Sequence, residues 1–199
     1  MPNVYEQLNG MLAKKGLDSN TRQGINWLRT KINELYGAKQ VRQQKMFRDS
    51  QKILQPGDRK FVGKMYMFRY NPIRKDQLPY WDEFPLIFVL NIYRNGFLGM
   101  NLHYLPPKIR TDFLLALDNL RSNDHMDETT RIRVSYELIR DTARLNTGLP
   151  IVRRYLKRGI LSNIIQVLPN EWAIASLLPT ESFTGASKSK VWQDTRNKL

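Results

Sequence analysis

Two adjacent acids, Asp82 and Glu83, are the residues whose type and position first suggest chemistry. They lie in the aromatic segment YNPIRKDQLPYWDEFPLIFVL of a chain whose formal net charge is +14. Paired carboxylates are able to hold a metal ion or to act as general acid and base. Consecutive strand residues point to opposite faces, however, so we do not expect these two to converge on one metal or one scissile bond. We interpret the segment as a proline-bounded loop in which three aromatic residues cover a sheet edge: Tyr80, Trp81 and Phe84.

No other residue pattern predicts catalysis. A metal-dependent nuclease of the restriction type needs an acid followed by Glu-x-Lys or Asp-x-Lys on the next strand, and the nearest match, 58–60, has no obvious upstream partner. The only histidines, His103 and His125, lack metal-ligand spacing, and His103 is expected to be a hydrogen-bonded structural residue. The chain has no cysteine and no Gly-rich phosphate loop. We therefore predict no catalytic residue, no metal site, no cofactor and no enzymatic activity.

The charge balance predicts an anionic partner. The 199 residues include 32 Lys and Arg against 18 Asp and Glu, an excess that favours nucleic acid over other partners; the alternative is a merely soluble basic protein. The N-terminus lacks the apolar core of a signal peptide, and no stretch approaches the roughly 20 apolar residues of a membrane span. We expect a soluble protein that is made in a cytoplasm and has no membrane partner.

The elements that position these residues change type along the chain. Residues 1–58 are predicted to form a basic helical arm of two helices, with a cap in DSNT and a possible third helix through residues 39–54. The apolar positions recur at helical spacing: Val4, Leu8, Leu12, Ile25, Leu28, Ile32 and Leu35. An ordinary amphipathic helix pair with a solvated basic side is the alternative to a binding arm.

Residues 59–184 are predicted to form an α+β core domain around a small antiparallel sheet. The aromatic residues of KMYMFRY share one strand face and its methionines share the other. PLIFVLNIYR is a longer strand, Asn95 and Gly96 predict a type I′ hairpin turn, and FLGMNLHYL is the next strand. NIIQVLP is predicted as a short return strand. The fold class is a small antiparallel sheet or an SH3-like barrel with flanking helices.

Pro106 and Pro107 are predicted to end the sheet and suit the first turn of a helix, and a second helix is predicted to start after Asp127. Pro150 is predicted to open another helix, with apolar residues on one face and four cations on the other: Arg153, Arg154, Lys157 and Arg158. EWAIASLLP is predicted to add a final helical turn or two. Residues 185–199 are predicted to be a flexible basic tail in which Trp192 serves as an anchor.

Three segments together resemble a known family. GKMYMFRYNPIRKDQLPYWDEFPLIFVL, GFLGMNLHYLPPKIR and LPTESFTGASKSKVWQDTR are similar to the DNA end protector protein of large contractile-tailed bacteriophages, from about Gly63 to Trp192. In that family a Tyr-Asn-Pro turn, a Leu-Pro-Tyr segment, a Phe-Pro-Leu strand and a Gly-Leu-Asn-Leu-His-Tyr-Leu-like strand recur in this order. Trp81 and Met100 stand here in place of a tyrosine and a leucine, and these changes keep the packing character.

The resemblance implies a minor virion protein that acts at head completion. Such a protein binds the ends of packaged double-stranded DNA, enters the new host with them and blocks an end-dependent exonuclease. The resemblance also implies a location in the virion, and in the host cytoplasm during assembly and after genome injection, with other phage structural proteins as further partners. The competing hypothesis is a purely structural virion component, such as a head–tail connector, collar or baseplate protein, whose arm and tail bind neighbouring subunits.

The DNA-binding residues are predicted from the charge pattern, because the resemblance identifies none. Lys and Arg neutralise phosphates and release counterions, which gives affinity without sequence preference. The predicted set is Arg153, Arg154, Lys157, Arg158, Arg42, Lys45, Arg48, Lys188 and Lys190. A preference for ends needs aromatic residues that stack on the terminal base pair; Trp27, Trp81 and Trp192 are candidates, with packing as their alternative role.

Overall fold

The computed structural model of the chain describes residues 4–19, 21–37, 61–121, 137–138, 141 and 151–197. The helix predicted over 39–54, the acidic pattern at 58–60 and most of the helix predicted after Asp127 lie outside the described residues. So do three of the predicted DNA-binding residues: Arg42, Lys45 and Arg48.

The two predicted N-terminal helices are confirmed as α1 (Val4–Lys14) and α2 (Arg22–Tyr36). Thr21 caps α2, since its hydroxyl accepts a hydrogen bond from the backbone N–H of Gly24 at 3.0 Å. The predicted apolar faces are buried except at Leu35, which is 43% exposed. Both helices pack onto the sheet, and the Tyr5 hydroxyl donates to the Met67 sulfur at 3.2 Å.

In the part of the chain that the structure describes, seven strands form two antiparallel sheets, which confirms the α+β class. They are β1 (Met65–Met67), β2 (Trp81–Asp82), β3 (Leu86–Tyr93), β4 (Gly96–Asn101), β5 (Val152–Leu156), β6 (Ile165–Val167) and β7 (Phe183–Thr184). The larger sheet has the order β5-β4-β3-β1-β6, and β2 pairs with β7. Because β5 and β6 are its two edges, the five-stranded sheet of the described residues is open, and a closed SH3-like barrel is excluded for it.

The larger sheet is buried on both faces, as the alternation in KMYMFRY predicts. Met65 and Met67 contribute to a core shared with the helices, whereas Tyr66 and Phe68 lie in a separate aromatic core. In that second core, the Phe68 ring packs edge-on against Tyr155 with centroids 5.4 Å apart. The return strand is confirmed, because NIIQVLP contains β6, which pairs with β1.

The β3–β4 hairpin is confirmed, but its turn is not the one predicted. Tyr93 pairs with Gly96, so the turn residues are Arg94 and Asn95, and no described residue other than glycine has a positive φ. A type I′ turn centred on Asn95 and Gly96 is therefore wrong. Gly96 is required for another reason: a Cβ at this position would lie 2.0 Å from the backbone oxygen of Tyr155, on the neighbouring strand β5.

The helix predicted to begin at Pro150 is wrong. Residues 152–156 form β5, which pairs with β4 from Gly96 to Met100, and Lys157–Gly159 form a short 3-10 helix. The pattern of apolar residues fitted a helix face. Pairing with the otherwise open edge of β4, however, provides hydrogen-bond partners for the backbone N–H and C=O groups along the whole segment. As a result, consecutive residues Arg153 and Arg154 point to opposite faces of the sheet.

Three more helices are described: α3 (Pro107–Arg121), α4 (Trp172–Leu177) and α5 (Lys188–Arg196). The first two are those predicted. Helix α5 corrects the prediction of a flexible tail, since the Ser187 hydroxyl caps it by accepting from the Lys190 N–H and Val191 is fully buried. Trp192 serves as the predicted anchor, because its indole N–H donates to the backbone oxygen of His103 at 2.9 Å.

Candidate functional site

The carboxylate of Asp82 is the centre of a buried hydrogen-bond network. One of its oxygens accepts from the backbone N–H groups of Phe84 at 3.0 Å and Ser182 at 3.3 Å. The other oxygen contacts the Asn101 amide nitrogen at 3.0 Å and His103 Nδ1 at 2.7 Å. The side chains of Asp82 and His103 are 1% and 0% exposed. Four donors thus converge on one carboxylate and leave it no face toward solvent.

His103 continues the network to a hydroxyl. Its Nε2 lies 3.2 Å from Thr180 Oγ1, so the imidazole connects a carboxylate to a hydroxyl in the order that activates a nucleophile in hydrolases. Thr180 is 0% exposed, however, so a substrate has no access to this hydroxyl in the structure. The arrangement joins β2 and the segment before β7 to the 3-10 helix Leu102–Tyr104, as expected of a structural histidine.

Arg110 and Glu181 form a buried ion pair beside this network. Arg110 Nη2 lies 3.8 Å from Glu181 Oε1, and the guanidinium also donates to the backbone oxygens of Ser176 at 3.0 Å and Leu105 at 3.2 Å. Burial raises the pKa of the Glu181 carboxyl, but the positive charge of Arg110 and smaller contributions from other groups outweigh it and hold the pKa below its ordinary value. Neither residue belongs to a charge or apolar pattern that sequence reasoning identified.

Asp82 and its neighbour Glu83 diverge, as their adjacency predicts. Glu83 is exposed and accepts hydrogen bonds from the hydroxyls of Ser182 and Thr184 on the partner strand segment. The two acids lie at the end of a short strand rather than wholly in a loop, since Asp82 pairs with Phe183. Within the described ranges, no group of three or more His, Asp or Glu side chains is placed to hold a metal ion.

Two of the four cations predicted for the wrong helix, Arg154 and Lys157, contact the tip of the β3–β4 hairpin, and Arg158 follows Lys157 directly in the chain. The Arg154 guanidinium lies over the Tyr93 ring, 4.4 Å from its centroid, and donates to the Asn95 side-chain oxygen at 2.8 Å. The backbone N–H of Lys157 donates to the Asn95 backbone oxygen at 2.9 Å. We define the hairpin surface as Tyr93, Arg94, Asn95, Arg154, Lys157 and Arg158.

The hairpin surface has the properties of an anion-binding site. Arg94, Arg154 and Arg158 are exposed, and none of its four cations forms an ion pair with a carboxylate among the described residues. The stacked guanidinium of Arg154 is held in place by ring and amide contacts, which reduces the entropy lost when it binds. Sequence reasoning missed Tyr93 and Arg94; the exposed polar turn between two strands was the signal that could have identified them.

The remaining predicted cations are placed differently. Arg153 points away from the hairpin surface, and its guanidinium lies 5.3 Å from the centroid of the Tyr104 ring. On α5, Lys190 forms an ion pair with Asp194 one turn later, and Lys188 lies 4.0 Å from Glu181. These contacts partly neutralise both lysines. The structure therefore does not bring the described members of the predicted set together as one surface.

The tryptophans suggested for stacking are mainly packing residues. Trp27 is half-buried against the core, and Trp192 is held by its hydrogen bond to His103. The indole N–H of Trp81 is buried without a hydrogen-bond partner, so this ring is also committed to the protein. Tyr93, 36% exposed beside unpaired cations, is better placed to meet a nucleobase.

Comparison with known proteins gives one match. The sequence model of a family described as "Phage T4 terminal DNA protecting protein" matches residues 17–196, which is most of the chain. Neither the curated proteins nor the solved structures yielded a match. In the described part of the chain, no helix has the length and apolar character needed to cross a membrane.

Proposed function

The chain belongs to the family of the phage T4 terminal DNA protecting protein, and from this membership we propose that it binds the ends of packaged double-stranded DNA and shields them from an end-dependent host exonuclease. It acts at head completion, stays at the head–tail junction of the virion and enters the host cytoplasm with the DNA. The hairpin surface is the part of the protein that meets the DNA end. The observation that carries this proposal is the cluster of unpaired, exposed cations around a half-exposed tyrosine.

Each part of the hairpin surface supplies one requirement of end binding. Its cations neutralise phosphates without reading sequence, as a protein that meets every genome end needs. Tyr93 offers an aromatic surface to the terminal base pair, which is unstacked on one side only at an end. A closed circular duplex has no terminal base pair. The tyrosine therefore supplies the preference for DNA ends, and the cations supply the affinity for the phosphate backbone.

We propose that the protein protects by occupying the end and not by chemistry. The enclosed Asp82–His103–Thr180 arrangement supports this, because none of its three side chains is accessible to DNA. Incubation with linear duplex and magnesium or manganese should leave the DNA intact. Cleavage that disappears in an Asp82→Asn variant of unchanged fold would contradict the proposal.

The first experiment measures end selectivity. Linear duplex should compete for binding better than a closed circle of equal length at matched mass, and bound protein should slow digestion of the linear duplex by an end-dependent exonuclease. Equal competition by the two forms would leave a general DNA-binding protein and contradict the proposal. If the protein fails to bind linear duplex at low salt yet enters particles that lack DNA, the purely structural virion component is the correct function.

The second experiment assigns the selectivity to Tyr93. Replacing Tyr93 by leucine should lower the preference for linear over circular duplex by roughly five- to 100-fold, the range expected for loss of one stacking contact. Replacing it by phenylalanine keeps the ring and should keep the preference. An unchanged preference in the leucine variant would show that the hairpin surface does not contact the end.

A further inference from the structure

A cleft of about 560 Å³ separates α2 from the first two turns of α3. Its α2 wall carries Arg22, Asn26 and Arg29, which share one helix face because they are four and three residues apart. Its α3 wall carries Lys108 and Asp112. All five side chains are exposed, so the cleft is accessible from solvent.

The net charge of the side chains that line this cleft is positive. Arg22, Arg29 and Lys108 form no ion pair with any carboxylate of the described residues, and Asp112 is the only acid among the lining residues. A cleft of this volume is within the size range of ligand pockets, and its rim carries three cations and one acid. An anion is therefore the kind of ligand that the cleft fits.

The spacing of the cations favours a polymer over a single small anion. Arg22 and Arg29 are seven residues apart, which places them about 10.5 Å apart along the α2 axis. One strand of duplex DNA carries a phosphate for about every 3.4 Å of axial rise, so cations spread along the cleft are able to contact more than one phosphate of the same strand. A strand therefore offers successive phosphates to cations spread along the cleft, whereas a free phosphate offers one.

We propose that the cleft between α2 and α3 is a second DNA-contacting surface, which holds the phosphate backbone of one duplex strand by Arg22, Arg29 and Lys108. This inference rests on the proposed function and adds to it a contact that is independent of the end. The cleft provides sequence-independent and end-independent affinity, while the hairpin surface distinguishes an end from continuous duplex. Asp112 opposes the contact and limits its strength.

The test is the salt dependence of binding to linear duplex by a triple variant, Arg22→Gln, Arg29→Gln and Lys108→Gln. Three lost phosphate contacts should reduce the slope of log K against log salt by about 2.7. Between 50 and 200 mM salt, the triple variant should therefore lose roughly 40-fold less affinity than the parent. The ratio of linear to circular binding should stay unchanged, because the cleft does not read the end.

Two further variants make the result specific. A control with the same charge change at exposed positions elsewhere, Lys14→Gln, Lys15→Gln and Arg196→Gln, should keep the parent slope. Asp112→Asn removes the opposing charge and should tighten binding by about two- to fivefold at low salt. An unfolded variant would not bind DNA more tightly. Tighter binding by Asp112→Asn, together with the reduced salt slope of the triple variant, therefore indicates that the cleft contacts DNA and that the triple variant has not simply lost its structure.

The outcomes distinguish this inference from the proposed function. If the parent does not bind linear duplex at all, both are wrong. If the parent binds and prefers ends but the triple variant keeps a slope within error of the control, only the cleft proposal is wrong. A triple variant that keeps its DNA slope but no longer binds polyglutamate would also overturn the proposal, and would assign the cleft to an acidic protein segment.

Discussion

Removing the charge of Asp82 should destabilise the protein strongly, whereas removing that of Glu83 should not. In Asp82→Asn, one side-chain oxygen still accepts from the N–H groups of Phe84 and Ser182. On the side of Asn101 and His103, an amide N–H₂ group that only donates replaces the acceptor oxygen. The two acids are adjacent in sequence, so Glu83→Gln is a matched control.

The magnitude follows from which partners are able to adapt. His103 adapts by moving its proton from Nδ1 to Nε2, where Thr180 Oγ1 lies 3.2 Å away. Asn101 cannot turn its amide over, because its oxygen accepts from the His103 N–H at 2.9 Å. One buried donor therefore faces another donor, which costs about 1–3 kcal/mol. Asp82→Ala orphans all four donors and should cost at least about 4 kcal/mol.

The assay is urea denaturation followed by tryptophan fluorescence, with thermal melting as a second measure. We expect losses of about 2 kcal/mol for Asp82→Asn and below about 1 kcal/mol for Glu83→Gln. For a chain of this length, the first corresponds to a melting temperature lower by about 4–8 °C. If Asp82→Asn and Glu83→Gln unfold at the same urea concentration with equal slopes, Asp82 does not hold the two sheets together and the reasoning fails.

Two other predictions concern a strand contact and a buried ion pair. Gly96→Ala should destabilise the protein by about 3 kcal/mol, because the new Cβ collides with the Tyr155 backbone oxygen; a variant as stable as the parent would mean that β5 is not paired there. Glu181→Gln should cost about 1–3 kcal/mol at neutral pH, since it removes the charge partner of Arg110. The pKa of Glu181 is lowered in the folded state, so its contribution is complete above the unfolded pKa of about 4.3 and is lost as the pH falls through the folded pKa. The stability difference between parent and variant should therefore vanish in acid, and a difference that is constant with pH would contradict the role of this charge.

Patterns of neighbouring residues in the sequence correctly predicted the helices and strands whose formation depends mainly on neighbouring residues. The i, i+4 spacing in α1 and the alternation in KMYMFRY each identify a buried face without reference to the rest of the chain, and both are confirmed. The capping sequence before α2 is another local signal, since Thr21 contacts only its own helix.

The predictions that were wrong depend on distant partners. Residues 151–156 carry apolar residues in an arrangement that fits either a helix face or a strand, and the choice is made by the open edge of β4 some 50 residues earlier. The hydroxyl of Ser187 signals a helix start, but α5 buries little more than Val191 and Thr195 and depends on its docking for stability. The hairpin surface likewise becomes one site only because Arg154 and Tyr93 lie on paired segments.

The interior position of β1, between β3 and the edge strand β6 of the larger sheet, has a consequence for synthesis on the ribosome. Its two neighbours are β3, which follows closely in the chain, and β6, which is made about a hundred residues later. At about 5–20 residues per second, a nascent chain spends roughly 5–20 s with one edge of β1 exposed. An unpaired strand edge readily adds a strand from another chain. Prematurely terminated chains that lack β6 should therefore self-associate or be degraded, so that only completed copies accumulate.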